Sequence, residues 1–146
     1  MFEGKSVLVT GGTGMIGVPL VKKLLERGAF VVVASLDTEQ KRKISGAYYY
    51  NGDLTQFHEC AQVCRGKNYV FHLAGVKGSP KMCAEQPADF FVPLLQMNTN
   101  MMEAARTAGV KKYLFTRYGL NILKRHLRKD RSNLWGLILF NLFALS

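Results

Sequence analysis

Residues 6–17 read SVLVTGGTGMIG, and the pattern changes abruptly within them. The first five are β-branched or apolar, as expected of a central strand of a parallel sheet that is buried on both faces. The glycines that follow have the spacing G-x-x-G-x-x-G and are Gly11, Gly14 and Gly17. From Met15 onward the apolar residues recur at helical spacing. The stretch therefore predicts a strand, a glycine turn and a helix.

The same alternation continues along the chain. Gly28 stands where a helix commonly ends, and a second buried strand follows it. Later segments repeat the pattern, with strands predicted at 30–34, 47–50, 69–73 and 113–116, helices at 55–65 and 94–108, and a loop at 75–87. Thr55 is the expected cap of the first of these later helices. Repeated β-α alternation predicts an α/β fold, a Rossmann-type doubly wound parallel sheet with strand order 3-2-1-4-5.

The glycine turn is suited to holding a dinucleotide. Two phosphates must come very close to the backbone, where Cβ atoms would obstruct them, and a tight turn needs a positive φ. The start of the helix offers free N–H groups and the positive end of its dipole to a pyrophosphate. The candidate cofactor-binding residues of the turn are Gly11, Thr13, Gly14, Met15, Ile16 and Gly17.

Asp37 is the candidate for binding the adenosine ribose. It lies 20 residues beyond Gly17, the distance at which an acidic residue commonly holds the ribose hydroxyls. A solvated loop aspartate is the alternative. Lys41, Arg42 and Lys43 follow closely, and they suit either a 2′-phosphate or a solvated face. The expected cofactor is therefore NAD or NADP, with NAD favoured.

Five motifs in order give the chain a resemblance to a known family. They are TGGTGMIG at 10–17, GDLT at 52–55, VFHLAG at 70–75, NTNMMEAAR at 98–106 and GVKKYLFT at 109–116. Together they resemble the extended short-chain dehydrogenase/reductase family, in its NAD-dependent epimerase/dehydratase branch. The resemblance implies that Asp53 and Leu54 edge the adenine. It also implies that the backbone of Leu73, Ala74 and Gly75 lines the ribose and nicotinamide side.

Three departures from the family pattern concern the site. The family's ribose-binding acid aligns with Ser35 here, and Asp37 comes two residues later. Leu94 occupies the position of an active-site asparagine, although Asn98 lies one helical turn away and is the cofactor-binding candidate there. Family members use a Ser or Thr after the fifth strand, for which Thr116 is a candidate, a plain strand-end hydroxyl being the alternative.

The family's catalytic pair is absent from the sequence. In that pair a lysine four residues after a tyrosine lowers the pKa of the phenol, which then exchanges a proton during hydride transfer. None of the six tyrosines has a lysine at that spacing. We therefore predict no catalytic residues.

Residues 117–146 differ in character from the rest. They carry six basic residues and one acidic residue, which is half of the net charge of +10. A 12-residue apolar end, 134–145, is shorter than the roughly 20 residues that a membrane span requires. We expect a cofactor domain at 1–116, a divergent tail at 117–146 and no transmembrane span. The family's second domain is missing, as in a truncated or frame-shifted half enzyme.

Composition bounds the remaining alternatives. Three cysteines and no signal-like leader favour a cytoplasmic protein without disulfides. Cys60, Cys64 and His58 lack zinc spacing, so no metal is predicted. The basic charge brings no nucleic-acid motif, so no nucleic-acid partner is predicted. The open sheet edge after strand five favours a homo-oligomer.

Two functions follow from these observations. The first is the NAD(P)-binding domain of a nucleotide-sugar epimerase/dehydratase-like or reductase-like oxidoreductase, catalytically incomplete, which takes a small-molecule substrate only if a C-terminal domain completes it. The alternative is a non-catalytic NAD(P)-binding sensor or interaction protein.

Overall fold

The computed structural model describes residues 1–37, 43–76, 78–116 and 143–144. The strands are β1 Ser6–Thr10, β2 Phe30–Ser35, β3 Tyr48–Asn51, β4 Tyr69–His72, β5 Lys112–Phe115 and β6 Phe143–Ala144. The helices are α1 Gly17–Glu26, α2 Phe57–Cys64, α3 Pro80–Glu85 and α4 Pro87–Thr107. Within these ranges no helix is long and apolar enough to cross a membrane.

The sheet has the strand order β3-β2-β1-β4-β5-β6. The first five strands pair in parallel, which confirms the predicted order 3-2-1-4-5. The two-residue β6 is an addition that the sequence did not predict, and it pairs antiparallel with β5. Since β1 and β4 lie at the point where the strand order reverses, a crevice for a ligand is expected beyond their carboxyl ends.

Helices cover both faces of the sheet. On one face α1 packs against alternate β1 and β2 side chains, among them Val7, Val9 and Val33. On the other face α2 and α4 pack against Leu8, Val70 and their neighbours. The alternation of side chains along each strand thus feeds two apolar cores, one on each face, as in a doubly wound fold.

The segment before the fifth strand differs most from expectation. Residues 75–87 were predicted to form a loop, but α3 occupies part of them, and its first turn is capped by the Ser79 hydroxyl, which accepts a hydrogen bond from the Met82 amide. The next helix, α4, begins at Pro87 rather than Leu94 and contains Pro93. Proline at the first helical position lacks only an N–H that would have no partner there, so Pro80 and Pro87 begin helices instead of preventing them.

Two predicted helix starts also move by two residues or fewer. The first helix begins at Gly17, because Met15 and Ile16 still belong to the turn. Thr55 does not cap α2; the N-cap residue is Gln56, whose side chain makes no capping hydrogen bond. The Thr55 hydroxyl instead donates to Asp53 Oδ1 over 2.8 Å, because the loop carboxylate is the stronger acceptor.

Candidate cofactor-binding site

Gly11 seats the turn between two strands. Its φ of +66° is in the left-handed region, and a Cβ there would lie 2.9 Å from the backbone nitrogen and Cα of Ala74. Its amide donates to Ala34 O over 2.9 Å, and this hydrogen bond holds the start of the turn against the end of β2. Only glycine satisfies both the dihedral and the close approach.

Gly17 and Gly14 have different roles. A Cβ on Gly17 would overlap the Gly11 carbonyl oxygen and lie 2.5 Å from the Cα of Gly12, so this glycine brings the first turn of α1 against the loop. A Cβ on Gly14 would meet only the Gly11 carbonyl oxygen, at 3.2 Å. Packing within the chain therefore constrains position 14 much less than position 17, and an outside group has room to approach the backbone there.

The start of α1 presents backbone donors. The Gly14 amide bonds to Gly11 O and the Val18 amide to Gly14 O, both over 3.0 Å. In the described part of the chain, no acceptor bonds to the amides of Met15 and Ile16, whose side chains are exposed. These N–H groups and the helix dipole together favour an anion at the turn.

Asp37 is held beside the turn by two hydroxyl groups. The Thr13 hydroxyl donates to Asp37 Oδ2 over 2.6 Å, and the Asp37 amide donates to Ser35 Oγ over 3.1 Å. The two hydroxyl oxygens are 3.2 Å apart. Lys41 and Arg42 lie outside the described residues, and Lys43 is exposed. The structure thus brings two predicted site residues, Thr13 and Asp37, into direct contact.

Asp53 and Leu54 lie in the loop after β3. The Asp53 carboxylate accepts the Thr55 amide over 2.9 Å, which makes a tight local turn. Leu54 is buried in the core beneath it. The side chain of Asn100, on α4, donates to Thr55 O over 2.8 Å and ties this loop to the helix. The turn is therefore rigid, with the exposed Asp53 at its outer end.

Thr10 organises the loop after β4. Its hydroxyl oxygen accepts the amides of Leu73 and Ala74 over 3.2 and 3.1 Å, and Leu73 also donates to Thr10 O. Gly75 follows, half-buried. The predicted cofactor-lining backbone at 73–75 is thereby fixed directly against the last residue of β1.

His72 lies beneath this loop and links it to α4. Its Nδ1 is 2.7 Å from Thr10 Oγ1, and its Nε2 is 3.0 Å from Asn98 Oδ1. Because the Thr10 oxygen already accepts two amides, its proton goes to Nδ1, and the Nε2–H then donates to Asn98. Burial lowers the pKa of His72 to about 4, and the hydrogen bond to Asn98 opposes that shift. The imidazole is therefore neutral at pH 7 and fixed in one tautomer.

Asn98 and Thr116 both engage His72. Asn98 was predicted to bind cofactor, and its side-chain oxygen is used in the contact with the imidazole. The Thr116 hydroxyl donates to His72 O over 3.3 Å, which is the strand-end role weighed against a catalytic one. Leu94 packs half-buried against the core on the α2–α4 face.

The segments that form this site lie within a stretch of sequence that matches a known protein family. The model of the NAD dependent epimerase/dehydratase family matches residues 7–117, which include the turn, the Asp37 region and the loop after β4. The chain belongs to this family. The NAD-binding, oxidoreductase-type domain that the sequence predicted is thus confirmed at the level of family and fold.

Known proteins resemble this chain over part of their own length. A UDP-N-acetylglucosamine 4,6-dehydratase (inverting) from Campylobacter jejuni is 28% identical over 77% of this chain and 36% of its own length. A 3 beta-hydroxysteroid dehydrogenase/Delta 5-->4-isomerase from Mycobacterium tuberculosis is 29% identical, over 75% of this chain and 30% of that protein. The structure of a Thermus thermophilus UDP-glucose 4-epimerase in complex with NAD superposes with a TM-score of 0.65 at 33% identity, covering 74% of this chain and 36% of that one. The chain thus spans about a third of the length of these relatives.

The cysteines on α2 are core residues. Cys60 is fully buried and its thiol donates to Leu54 O over 3.1 Å. Burial raises the pKa of the Cys60 thiol to about 12 and that of Cys64 to about 11, so neither forms a thiolate readily. No group of three or more metal-ligating side chains comes together within the described ranges.

Sequence reasoning did not predict two residues of the site. Thr10 was read only as the end of a strand, and Ser35 only as the residue aligned with the family's acid. The signal they share is a hydroxyl side chain at the last position of a strand. Its value depends on tertiary neighbours, since the amides that Thr10 accepts and the Thr13 hydroxyl beside Ser35 come from other segments.

Proposed function

We propose that this chain binds NAD at the crevice formed by the glycine turn and the ends of β1, β2 and β4. The open position at Gly14 supports this most directly, because a dinucleotide pyrophosphate needs a place where no Cβ stands between it and the helix N-terminus. The bound nicotinamide would supply hydride chemistry, while this chain's residues bind and orient it.

NAD is proposed over NADP because of Asp37. A carboxylate accepts hydrogen bonds from the two ribose hydroxyls and repels a 2′-phosphate. In the proposed complex the 73–75 backbone, fixed by Thr10, lines the ribose and nicotinamide side, and Asp53 and Leu54 edge the adenine. The side chain of Asn98 holds the His72 ring, which lies beneath the 73–75 loop, and through that loop it supports the cofactor site.

We further propose that the polypeptide is a catalytically incomplete epimerase/dehydratase-type unit. Its relatives act on UDP-sugars and on hydroxysteroids, so a carbinol carried on a nucleotide sugar is the substrate class that fits best, once a C-terminal domain is supplied. The sequence supports incompleteness, because no tyrosine is followed four residues later by lysine.

The same observation favours a second function. A domain that binds NAD without a proton-exchanging tyrosine would report cofactor levels or present a cofactor-dependent surface to a partner. Turnover separates the two proposals, since only the first predicts that a C-terminal domain from a relative, added to this chain, brings catalytic activity.

Gly14→Leu tests the cofactor site. The leucine side chain fills the path to the α1 amides, so NAD affinity should fall by more than about tenfold in calorimetry. Because its Cβ would meet only the Gly11 carbonyl oxygen, the variant should remain folded, which a cooperative thermal transition checks. Ala88→Leu adds the same side chain at an exposed position of α4 and should leave the affinity unchanged.

Two results would contradict the proposal. One is a wild-type chain that binds neither NAD nor NADP at millimolar concentrations. The other is a folded Gly14→Leu variant with wild-type affinity, which would place the dinucleotide away from the turn.

A further inference from the structure

The Thr13, Ser35 and Asp37 side chains, which we call the hydroxyl ring, come from three places. Thr13 belongs to the glycine turn, Ser35 ends β2, and Asp37 lies two residues beyond that strand. The separations around the ring are 2.6 Å from Thr13 to the carboxylate, 3.2 Å between the hydroxyl oxygens and 3.1 Å from the Asp37 amide to Ser35. The ring closes on itself through Asp37, which contributes both its amide and its carboxylate.

The protons of the ring have one consistent assignment. A carboxylate only accepts, so the Thr13 hydroxyl donates its proton to Asp37. Thr13 Oγ1 must then accept from Ser35, whose own oxygen accepts the Asp37 amide. Every hydroxyl proton is used within the ring. The ring can therefore offer a ligand only oxygen lone pairs, because the O–H groups of Thr13 and Ser35 are already engaged.

This donor and acceptor arrangement matches one kind of ligand. A vicinal diol donates two hydrogen bonds and finds acceptors in the ring. A phosphate monoester is anionic and acceptor-rich, so it finds neither a proton nor a cation among the ring's own groups. The adjoining α1 amides have the opposite character, since they donate. The two features together fit a phosphate followed by a ribose with a free 2′-hydroxyl.

The ring also explains how Asp37 can bind the ribose although it lies two residues beyond the end of β2. A carboxylate on a loop residue samples many rotamers, and the Thr13 hydroxyl holds it in one. We infer that Thr13, with Ser35 behind it, is the positioning residue that sets the preference of this site for NAD over NADP. The inference rests on the proposed NAD site and adds the device that confers its selectivity.

Thr13→Val tests the ring, because valine keeps the shape and loses the hydroxyl. The NAD dissociation constant should rise about tenfold. The constant for NADP should change by less than about twofold, because the phosphate gains nothing from the ring. Thr13→Ser restores the hydroxyl and should restore selectivity. Thr107→Val is the matched control, since that hydroxyl bonds only within α4, and it should leave both constants unchanged.

A double-mutant cycle isolates the positioning role. In an Asp37→Asn background, Thr13→Val should weaken NAD binding by less than about twofold, since the anchored charge is already gone. Equal losses for NAD and NADP in Thr13→Val would overturn the inference, because they would mean that Thr13 acts on the pyrophosphate turn. Unchanged selectivity with intact NAD binding would also overturn it and leave the proposed function standing. Absence of NAD binding to the wild type would instead refute the proposed function.

Discussion

At the scale of single residues, His72 is the most constrained side chain of the site. It is fully buried, both ring nitrogens are bonded, and its ring stacks on Phe115 with centroids 5.7 Å apart. Protonation would force the Thr10 hydroxyl to give up one of its roles, because Nδ1 would become a donor. The neutral imidazole is thus part of what fixes the loop that follows β4.

This constraint makes the free energy of unfolding depend on pH. The unfolded histidine takes up a proton near its ordinary pKa of 6.5, the folded one only near 4. His72 therefore lowers the free energy of unfolding as the pH falls through that window, by about 3 kcal/mol in total. Above pH 6.5 its contribution is constant. Urea unfolding from about pH 7 to about pH 4 measures the slope.

Two variants separate His72 from the carboxylates that protonate in the same range. His72→Gln should lower stability at neutral pH and show a shallower slope than the wild type. His58→Gln, at an exposed position on α2, should keep the wild-type slope. A His72→Gln chain with the full wild-type slope would contradict the argument.

At the scale of elements, periodicity and glycine placement predicted most of the fold. All five parallel strands lie within two residues of their predicted bounds at each end, because each is an apolar run ended by glycine, asparagine or a loop. The failure at α3 and α4 has a local cause. The predicted loop at 75–87 includes Pro80 and Pro87, and both of these prolines are the first residue of a helix. The Ser79-Pro80 pair is itself a helix-start signal, because the serine caps the turn that the proline begins.

The site was predictable where it depends on the backbone and not where it depends on tertiary contacts. The glycine spacing indicated the turn, because positive φ and close approach restrict the residue type locally. The hydroxyl ring and the His72–Asn98 link join segments more than twenty residues apart, and nothing local specifies them. The contact between Asn98 and His72 could therefore not be predicted, while the cofactor-binding role of Asn98 stays a prediction.

Neighbouring methionines on α4 test the packing of this element. Met101 is fully buried between the sheet and α2, whereas Met102 is 48% exposed. Met101→Ala should lower the free energy of unfolding by about 2–5 kcal/mol, because it leaves a cavity. Met102→Ala should change it by about 0.5 kcal/mol or less. Similar losses for the two variants, measured by urea unfolding, would mean that α4 faces the other way.

At the scale of the whole molecule, the chain folds as the NAD-binding-type domain of the epimerase/dehydratase family. The five parallel strands and both apolar cores are present within residues 1–116. The proposed pyrophosphate site lies next to two exposed apolar residues, Met15 and Ile16, for which the described chain provides no cover. Because the sequence has no tyrosine and lysine pair beside this site, cofactor binding and catalysis are expected to separate in this polypeptide.

That separation is measurable. The purified chain, saturated with NAD and given UDP-glucose as the probe substrate, should form neither epimer nor reduced nicotinamide above background, because it has no tyrosine and lysine pair. Replacing the residues after Thr116 by the corresponding C-terminal part of the Thermus thermophilus epimerase should bring turnover. Turnover by the unaltered chain would show that another group exchanges the proton.

The contrast between Gly14 and Gly17 has a consequence for how such a protein changes over generations. A mutation at Gly17 harms the fold, so it is removed whether or not the cofactor matters to the cell. A mutation at Gly14 disturbs the fold far less than one at Gly17, and its main effect is expected on the ligand. A lineage that no longer needed the dinucleotide would lose Gly14 first and keep Gly17. The pair of glycines thus records separately whether natural selection has maintained the ligand and whether it has maintained the architecture.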